Sequence, residues 1–207
     1  MENYKKLPDV ITFQRICKAI SVLDAIICQD WEFRYYSYNS AWDEDEEFFE
    51  MRNGQGEHLL VLFKNGGCVI NGVHSEYKAA DKGILTKGLP DIFNDFIFGE
   101  PVNTRGTNFC IWTNASGDWQ YNPTNMADGM GELLHIFDNN PQTYIGWAEE
   151  YFEDSCREDG ISVQTVQDLY NGKTLTKEMV LSIVDELEDW GQLEEDLTEI
   201  AYPCDFI

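Results

Sequence analysis

Apolar residues recur at helical spacing near the start of the chain. Phe13, Ile16, Cys17, Ile20, Leu23 and Ile27 form one stripe, with Arg15, Lys18 and Asp24 mainly off it. Pro8 and Asp9 suit a helix start. From Trp31 the period changes to two. Trp31, Phe33 and Tyr35 alternate with Glu32, Arg34 and Tyr36, which predicts a half-buried strand. Asp43 to Glu47 reads as an acidic connection, and Phe48 to Arg52 as a second strand ended by Asn53-Gly54-Gln55-Gly56. His58 to Phe63 and Cys68 to Val73 are apolar runs on either side of Asn65-Gly66-Gly67, the strongest hairpin signal in the chain. Strands with such short links predict an antiparallel meander, with the first helix packed on one face.

Residues 74–88 are polar and loop-like. Pro90 opens a short helix carrying Ile92, Phe93, Phe96 and Ile97, closed by Gly99 and Pro101. Thr107 to Thr113 reads as a strand, and Asp118 to Tyr121 pairs back across a turn at Asn114 to Gly117. After Pro123 the pattern is helical. Leu133, Leu134 and Phe137 mark one short helix, and Asn140-Pro141 starts another with Tyr144, Ile145, Ala148 and Phe152 inward. Ser162 caps Val163 to Tyr170. Thr176 caps a longer helix with Val180, Ile183, Val184 and Leu187, and Leu193, Leu197 and Ile200 continue the pattern past Gly191. The expected fold is α+β: an antiparallel sheet, a meander of about four strands plus a later hairpin, with an N-terminal helix and a C-terminal helical cluster. One domain over residues 1–207 is expected, with a sheet-containing part at 1–122 and an acidic helical part at 123–207.

Charge narrows the functions. The 207 residues carry 38 acidic and 14 basic side chains, a net charge of −24. Such a polyanion repels phosphate backbones and anionic lipid heads, so nucleic-acid and membrane-surface partners are disfavoured. A basic protein partner is favoured, because opposite fields speed encounter. The charge is uneven: residues 140–207 hold 17 acidic and 3 basic side chains, net −14, against 21 and 11, net −10, in residues 1–139. The hydrophobic fraction of 43% is ample for a core despite this charge. The six cysteines, at 17, 28, 68, 110, 156 and 204, form no Cys-x-x-Cys and read as small buried hydrophobes in a reducing compartment. The polar stretch Met1 to Leu7 does not resemble a signal peptide, and no run approaches the roughly 18 apolar residues of a membrane span. A cytoplasmic location is expected.

Motifs for catalysis, metals and nucleotides are missing from the pattern, so no catalytic residue, metal or cofactor is assigned. Asp43-Glu44-Asp45-Glu46-Glu47 fails as a calcium loop. Counted from Asp43, the positions that need Gly and a bidentate Glu are Phe48 and Gly54. The glycine-rich turns at 53–56 and 65–67 open no helix and precede no Gly-Lys-Ser/Thr. Two candidate sites stand out. Tyr36, Tyr38 and Trp42 beside Asp43, Asp45 and Glu47 suit a binding face, where aromatics anchor and charges steer. The alternative is a site built on His58 and His74 with Glu57 and Glu76. A three-residue turn at 65–67 would set the two histidines opposite each other, whereas a two-residue turn would put them on opposite faces. If paired, they would support a metal or acid–base site.

The segment Trp31-Glu32-Phe33-Arg34-Tyr35-Tyr36-Ser37-Tyr38-Asn39-Ser40-x-Trp42 carries a resemblance. It does so together with Met51-Arg52-Asn53-Gly54-x-Gly56, Gly72-x-His74-Ser75-Glu76 and Phe109-Cys110-Ile111-Trp112. The chain resembles a family of uncharacterised bacterial proteins of about this length. The resemblance implies a bacterial cytosolic protein and brings no activity and no catalytic residue. Small acidic α+β proteins of this kind are also similar to bacterial immunity proteins that neutralise toxins, a likeness of style rather than motif. The expected function is therefore a non-enzymatic protein-binding module, an immunity-type inhibitor in its most specific form. The alternative is an enzyme or metal-dependent protein using the His58/His74 site.

Overall fold

Asp9 starts the first helix by accepting from the Thr12 N–H at 3.0 Å. In the computed structural model, which describes residues 3–78, 80–124 and 128–206, helix α1 runs Val10–Ile27. From Ala19 to Ile27 every residue is buried. The single apolar stripe thus understates this helix, which lies between the sheet and the C-terminal helices and buries its second half on all sides.

Six strands follow: β1 (Tyr36–Asp43), β2 (Glu46–Arg52), β3 (His58–Lys64), β4 (Gly67–Val73), β5 (Phe109–Thr113) and β6 (Trp119–Tyr121). They form one antiparallel sheet in sequence order, so the later hairpin joins the meander through β4 and β5. One face carries Tyr36, Tyr38, Phe49, Met51, Val61, Phe63 and Ile70 into the main core with α1. The other carries Phe48, Leu60, Leu62, Val69, Cys110 and Trp112 under the segment between β4 and β5. That segment holds α2 (Lys82–Leu85), α3 (Asn94–Phe98) and α4 (Val102–Arg105), which supply Leu85, Phe96, Ile97 and Val102. Strand β3 is therefore buried on both faces, which accounts for its unbroken apolar run.

Two sequence expectations change here. Trp31 to Phe33 is a turn of 3-10 helix, not a strand. Asp30 caps it by accepting from the Glu32 N–H at 3.1 Å, and Arg34 folds inward to the Cys28 and Gln29 carbonyls. These local bonds override the aromatic alternation, and the strand begins only at Tyr36. The acidic run is not a loose connection either. Asp43 pairs with Glu46, leaving Glu44-Asp45 as a two-residue turn with Asp45 at φ 59°. The β3–β4 turn is also two residues long, since Lys64 pairs with Gly67. Asn65 and Gly66 hold φ of 52° and 74°, the left-handed pair that a tight hairpin needs.

The expected helical character after Pro123 is first met in α5 (Met130–Leu133), and residues 125–127 lie outside the described residues. Then come α6 (Pro141–Tyr151), capped by Asn140, and α7 (Val163–Tyr170), capped by Ser162. A short strand β7 (Leu175–Thr176) leads into α8 (Lys177–Val180). Helix α9 (Trp190–Ile200) is capped by Asp189, and β8 (Cys204–Asp205) returns to pair in parallel with β7. The long helix expected after Thr176 stops at Val180. Past it, the Ser182 and Ile183 carbonyls accept from the Ser162 and Arg157 N–H groups, which tie this stretch to the segment before α7. Val180, Ile183, Val184 and Leu187 are buried all the same. Tyr144, Val166, Leu169, Leu193 and Leu197 share one hydrophobic cluster with α1 and the sheet.

Candidate functional site

The two-residue β3–β4 turn settles the histidine question. His58 pairs with Val73, so His74 points to the opposite face. The expected His58/His74 pair is not formed. His58 is buried beside Glu50, with Nδ1 3.8 Å from Oε1, beyond hydrogen-bond reach. His74 is buried near Glu57, as the sequence suggested, but its partners include two residues the sequence did not signal. Its Nε2 lies 3.3 Å from Glu57 Oε1 and 3.1 Å from Glu132 Oε2. Tyr77 donates to Glu132 Oε1 at 2.9 Å and rests its ring against the imidazole. Glu76 offers only its backbone N–H, to Nδ1 at 3.4 Å. With Nδ1 accepting, Nε2 carries the proton and donates to the carboxylates. Gly129, at φ 70°, closes over the ring, and a Cβ there would sit 2.6 Å from the His74 Cβ. The arrangement ties the end of the sheet to α5 around a buried imidazole. Among the described residues, no group of three or more His, Cys, Asp or Glu is placed to hold a metal ion. Burial pushes the Cys17, Cys68 and Cys110 thiols up, which disfavours the thiolate.

The aromatic-acidic face divides between two sides of the sheet. Tyr36 and Tyr38, each 3% exposed, belong to the core. Tyr36 stacks on Phe49, and Tyr38 donates to Glu47 Oε2 at 2.7 Å while accepting from Gln14 Nε2 at 3.0 Å. They cannot serve as the surface anchors expected of them. Cross-strand pairing with Met51 and Phe49 sends both to the face that α1 covers. Glu47 is also internally committed, with Lys18 Nζ at 2.7 Å. Asp43 and Asp45 are exposed. Together with Glu46 and Lys64, which pair at 2.6 Å, they line an open groove of about 550 Å³ between the two hairpin turns and α1.

Trp42 stays at the surface, 43% exposed, and stacks on Phe48 at 4.3 Å. Beside the irregularity in β1 between Asn39 and Asp43, it lines one cleft with Trp31, which is 50% exposed, and with Tyr36 and Tyr38. Sequence reasoning placed Trp31 on a strand and so missed it as a partner. The Arg52 guanidinium lies over the Trp31 ring at 3.8 Å. Both tryptophans line a cleft of about 190 Å³ at the edge of β1, with Phe48, Glu50, Asp196 and Glu199. Arg34 and Asp196 form a buried ion pair at 2.5 Å in its wall. Glu50, only 16% exposed, makes no ion pair among the described residues shorter than its 3.8 Å approach to His58. Burial, and then the charge of Asp196, push the Glu199 carboxyl above its ordinary value.

A third titratable feature is Asp24, in the last turn of α1 and fully buried. Its Oδ2 accepts from the N–H groups of Tyr35 and Tyr36 at 3.1 and 2.8 Å, and its Oδ1 from the Tyr144 hydroxyl at 2.8 Å. Burial pushes its pKa up to about 7 against these three donors. It joins α1, the start of β1 and α6. Its only signal in the sequence is a single carboxylate inside an apolar run.

Comparison of the chain with protein-family models, with curated proteins and with solved structures finds no match. Among the described residues, no helix is long and apolar enough to cross a membrane.

Proposed function

We propose that this α+β protein is a non-enzymatic binding module for a basic protein, an immunity-type inhibitor acting in the bacterial cytoplasm. The observation that carries this reading is the cleft at the β1 edge. Two half-exposed tryptophans line it together with Glu50 and Glu199, which form no ion pair with a Lys or Arg among the described residues. Large aromatics with a desolvated charge between them are the composition of an interface hot spot. The net charge of −24 supplies the long-range field that would bring a basic partner in. Exposed Asp43 and Asp45 on the nearby hairpin turn add steering charge at the rim.

The test is affinity capture with the immobilised chain and with a Trp31→Ala/Trp42→Ala variant, from bacterial lysate at low and at high salt. The expected result is a basic protein held by the native chain at low salt, released by salt and absent from the variant. Equal retention by the two, or retention of no basic protein, would sink the reading.

A further inference from the structure

We infer that the cleft between Trp31 and Trp42 takes one arginine side chain of the partner, its guanidinium against Trp42 and its charge on Glu50. This rests on the binding reading above and gives it a ligand chemistry. Size is the first argument. A cleft of about 190 Å³ is below the roughly 300–1,000 Å³ of small-molecule sites, and suits a single long side chain. Charge is the second. The lining holds one arginine and three carboxylates, and Arg34 is already committed to Asp196 and to the Cys28 and Gln29 carbonyls. Glu50 and Glu199 are left to balance. Glu50 is largely out of water, and the His58 Nδ1 beside it is itself without a hydrogen-bond partner in the structure. A half-desolvated carboxylate in this state gains from an incoming cation.

The walls favour arginine over lysine. Trp31, Trp42, Phe48 and Ile200 give the cleft apolar, planar sides. A guanidinium is planar, weakly hydrated and stacks on aromatic faces, whereas an ammonium holds its water more tightly. The chain shows the same preference within itself, since Arg52 lies over Trp31. That contact occupies one face of Trp31. Trp42 stacks on Phe48 and keeps 43% of its surface exposed.

The probes are Ac-Gly-Arg-Gly-NH2 and its lysine and citrulline counterparts, titrated into the full chain while the indole N–H signals are followed by NMR. The arginine peptide should shift the Trp31 and Trp42 indoles and saturate. The citrulline peptide should bind more weakly by about tenfold or more, the worth of one charge-assisted bond, and the lysine peptide should also bind more weakly, because its hydrated ammonium stacks poorly on the indole. Glu50→Gln, a near-isosteric change, should weaken the arginine peptide by a similar factor, and Trp42→Leu should do the same. Unchanged thermal melting of both variants separates lost binding from lost folding. Equal shifts from the three peptides, or none at the two indoles, would overturn the arginine site. If Glu50→Gln nevertheless keeps the salt-sensitive capture of a basic protein, the binding reading survives and only this inference falls. Loss of both results removes both.

Discussion

Asp24 offers the sharpest test of how this fold is held together. The carboxylate is buried at the point where α1, β1 and α6 meet, and three donors converge on it. Two effects oppose each other. Desolvation favours the neutral acid, and the donors favour the anion. Desolvation wins, and the native pKa lies at about 7 against an ordinary value of 3.8. The acid is thus protonated in the folded state and ionised in the unfolded state between those two pH values. Its favourable contribution is fully present below about pH 4, is lost as the pH rises through about 7, and changes no further above that. About three pH units at about 1.4 kcal/mol each give a loss of about 4 kcal/mol across the window. In Asp24→Asn the amide oxygen accepts from the two backbone N–H groups, and the amide nitrogen donates to a reoriented Tyr144 hydroxyl. The variant keeps the clamp without the titration. Urea unfolding of both proteins from pH 4 to pH 8 isolates the effect, because their difference cancels the repulsion among the other carboxylates. The Asn variant should gain on the native protein by up to about 4 kcal/mol toward pH 7, with no further gain beyond. A flat difference would refute the argument, and a difference of opposite slope would show that the three donors outweigh burial. Asp24→Ala should cost about 3 kcal/mol or more at low pH, because three buried donors lose their acceptor.

Other outcomes follow from single contacts. Asp196→Ala should cost about 3–5 kcal/mol in urea unfolding by stranding the buried Arg34 charge, and the double change Arg34→Met/Asp196→Leu should recover most of it. Gly72→Ala should destabilise by at least about 1–3 kcal/mol, because its Cβ would fall 2.0 Å from the Phe109 ring; adding Phe109→Leu should restore part of the melting temperature. Residues 1–139 expressed alone should show poorly dispersed NMR signals, since α1 would lose Tyr144, Val166, Leu169, Leu193 and Leu197 from its core. Dispersed, native-like signals would mean that the acidic helices are a separable module.

The hairpins were legible because their signals are local. Asn65-Gly66 needs no tertiary help to select a tight turn, and the apolar runs beside it match the strands within a residue. The antiparallel sheet, the first helix and the helical C-terminal third were legible for the same reason. Trp31 to Phe33 and the stretch after Val180 were not. In both, backbone groups are satisfied by residues distant in sequence or by a side-chain cap, which periodicity does not record. The candidate site was legible in kind and misplaced in position. Tyr36, Tyr38 and Trp42 share an even spacing that implies one face, yet the irregularity between Asn39 and Asp43 breaks that spacing. Asn39 pairs with Phe48 but Asp43 with Glu46, so β1 carries two extra residues there, and Trp42 turns onto Phe48 while lining one cleft with Trp31, Tyr36 and Tyr38.

Position along the hairpin also decides what the acidic residues can do. Glu46 and Glu47 sit on regular strand and are drawn to Lys64 and Lys18, so their charge is spent within the fold. Asp43 and Asp45 sit at the turn and keep theirs for solvent. Exposed turn charges steer at long range but hold little, because water and salt screen them. Glu50 is the reverse case: it lines the cleft, is only 16% exposed, and among the described residues pairs with no Lys or Arg. If a basic partner binds here, salt should slow its arrival through the turn residues, and Glu50→Gln should hasten its departure. Stopped-flow association and dissociation rates would separate the two, and a Glu50→Gln variant altered only in association rate would contradict the assignment.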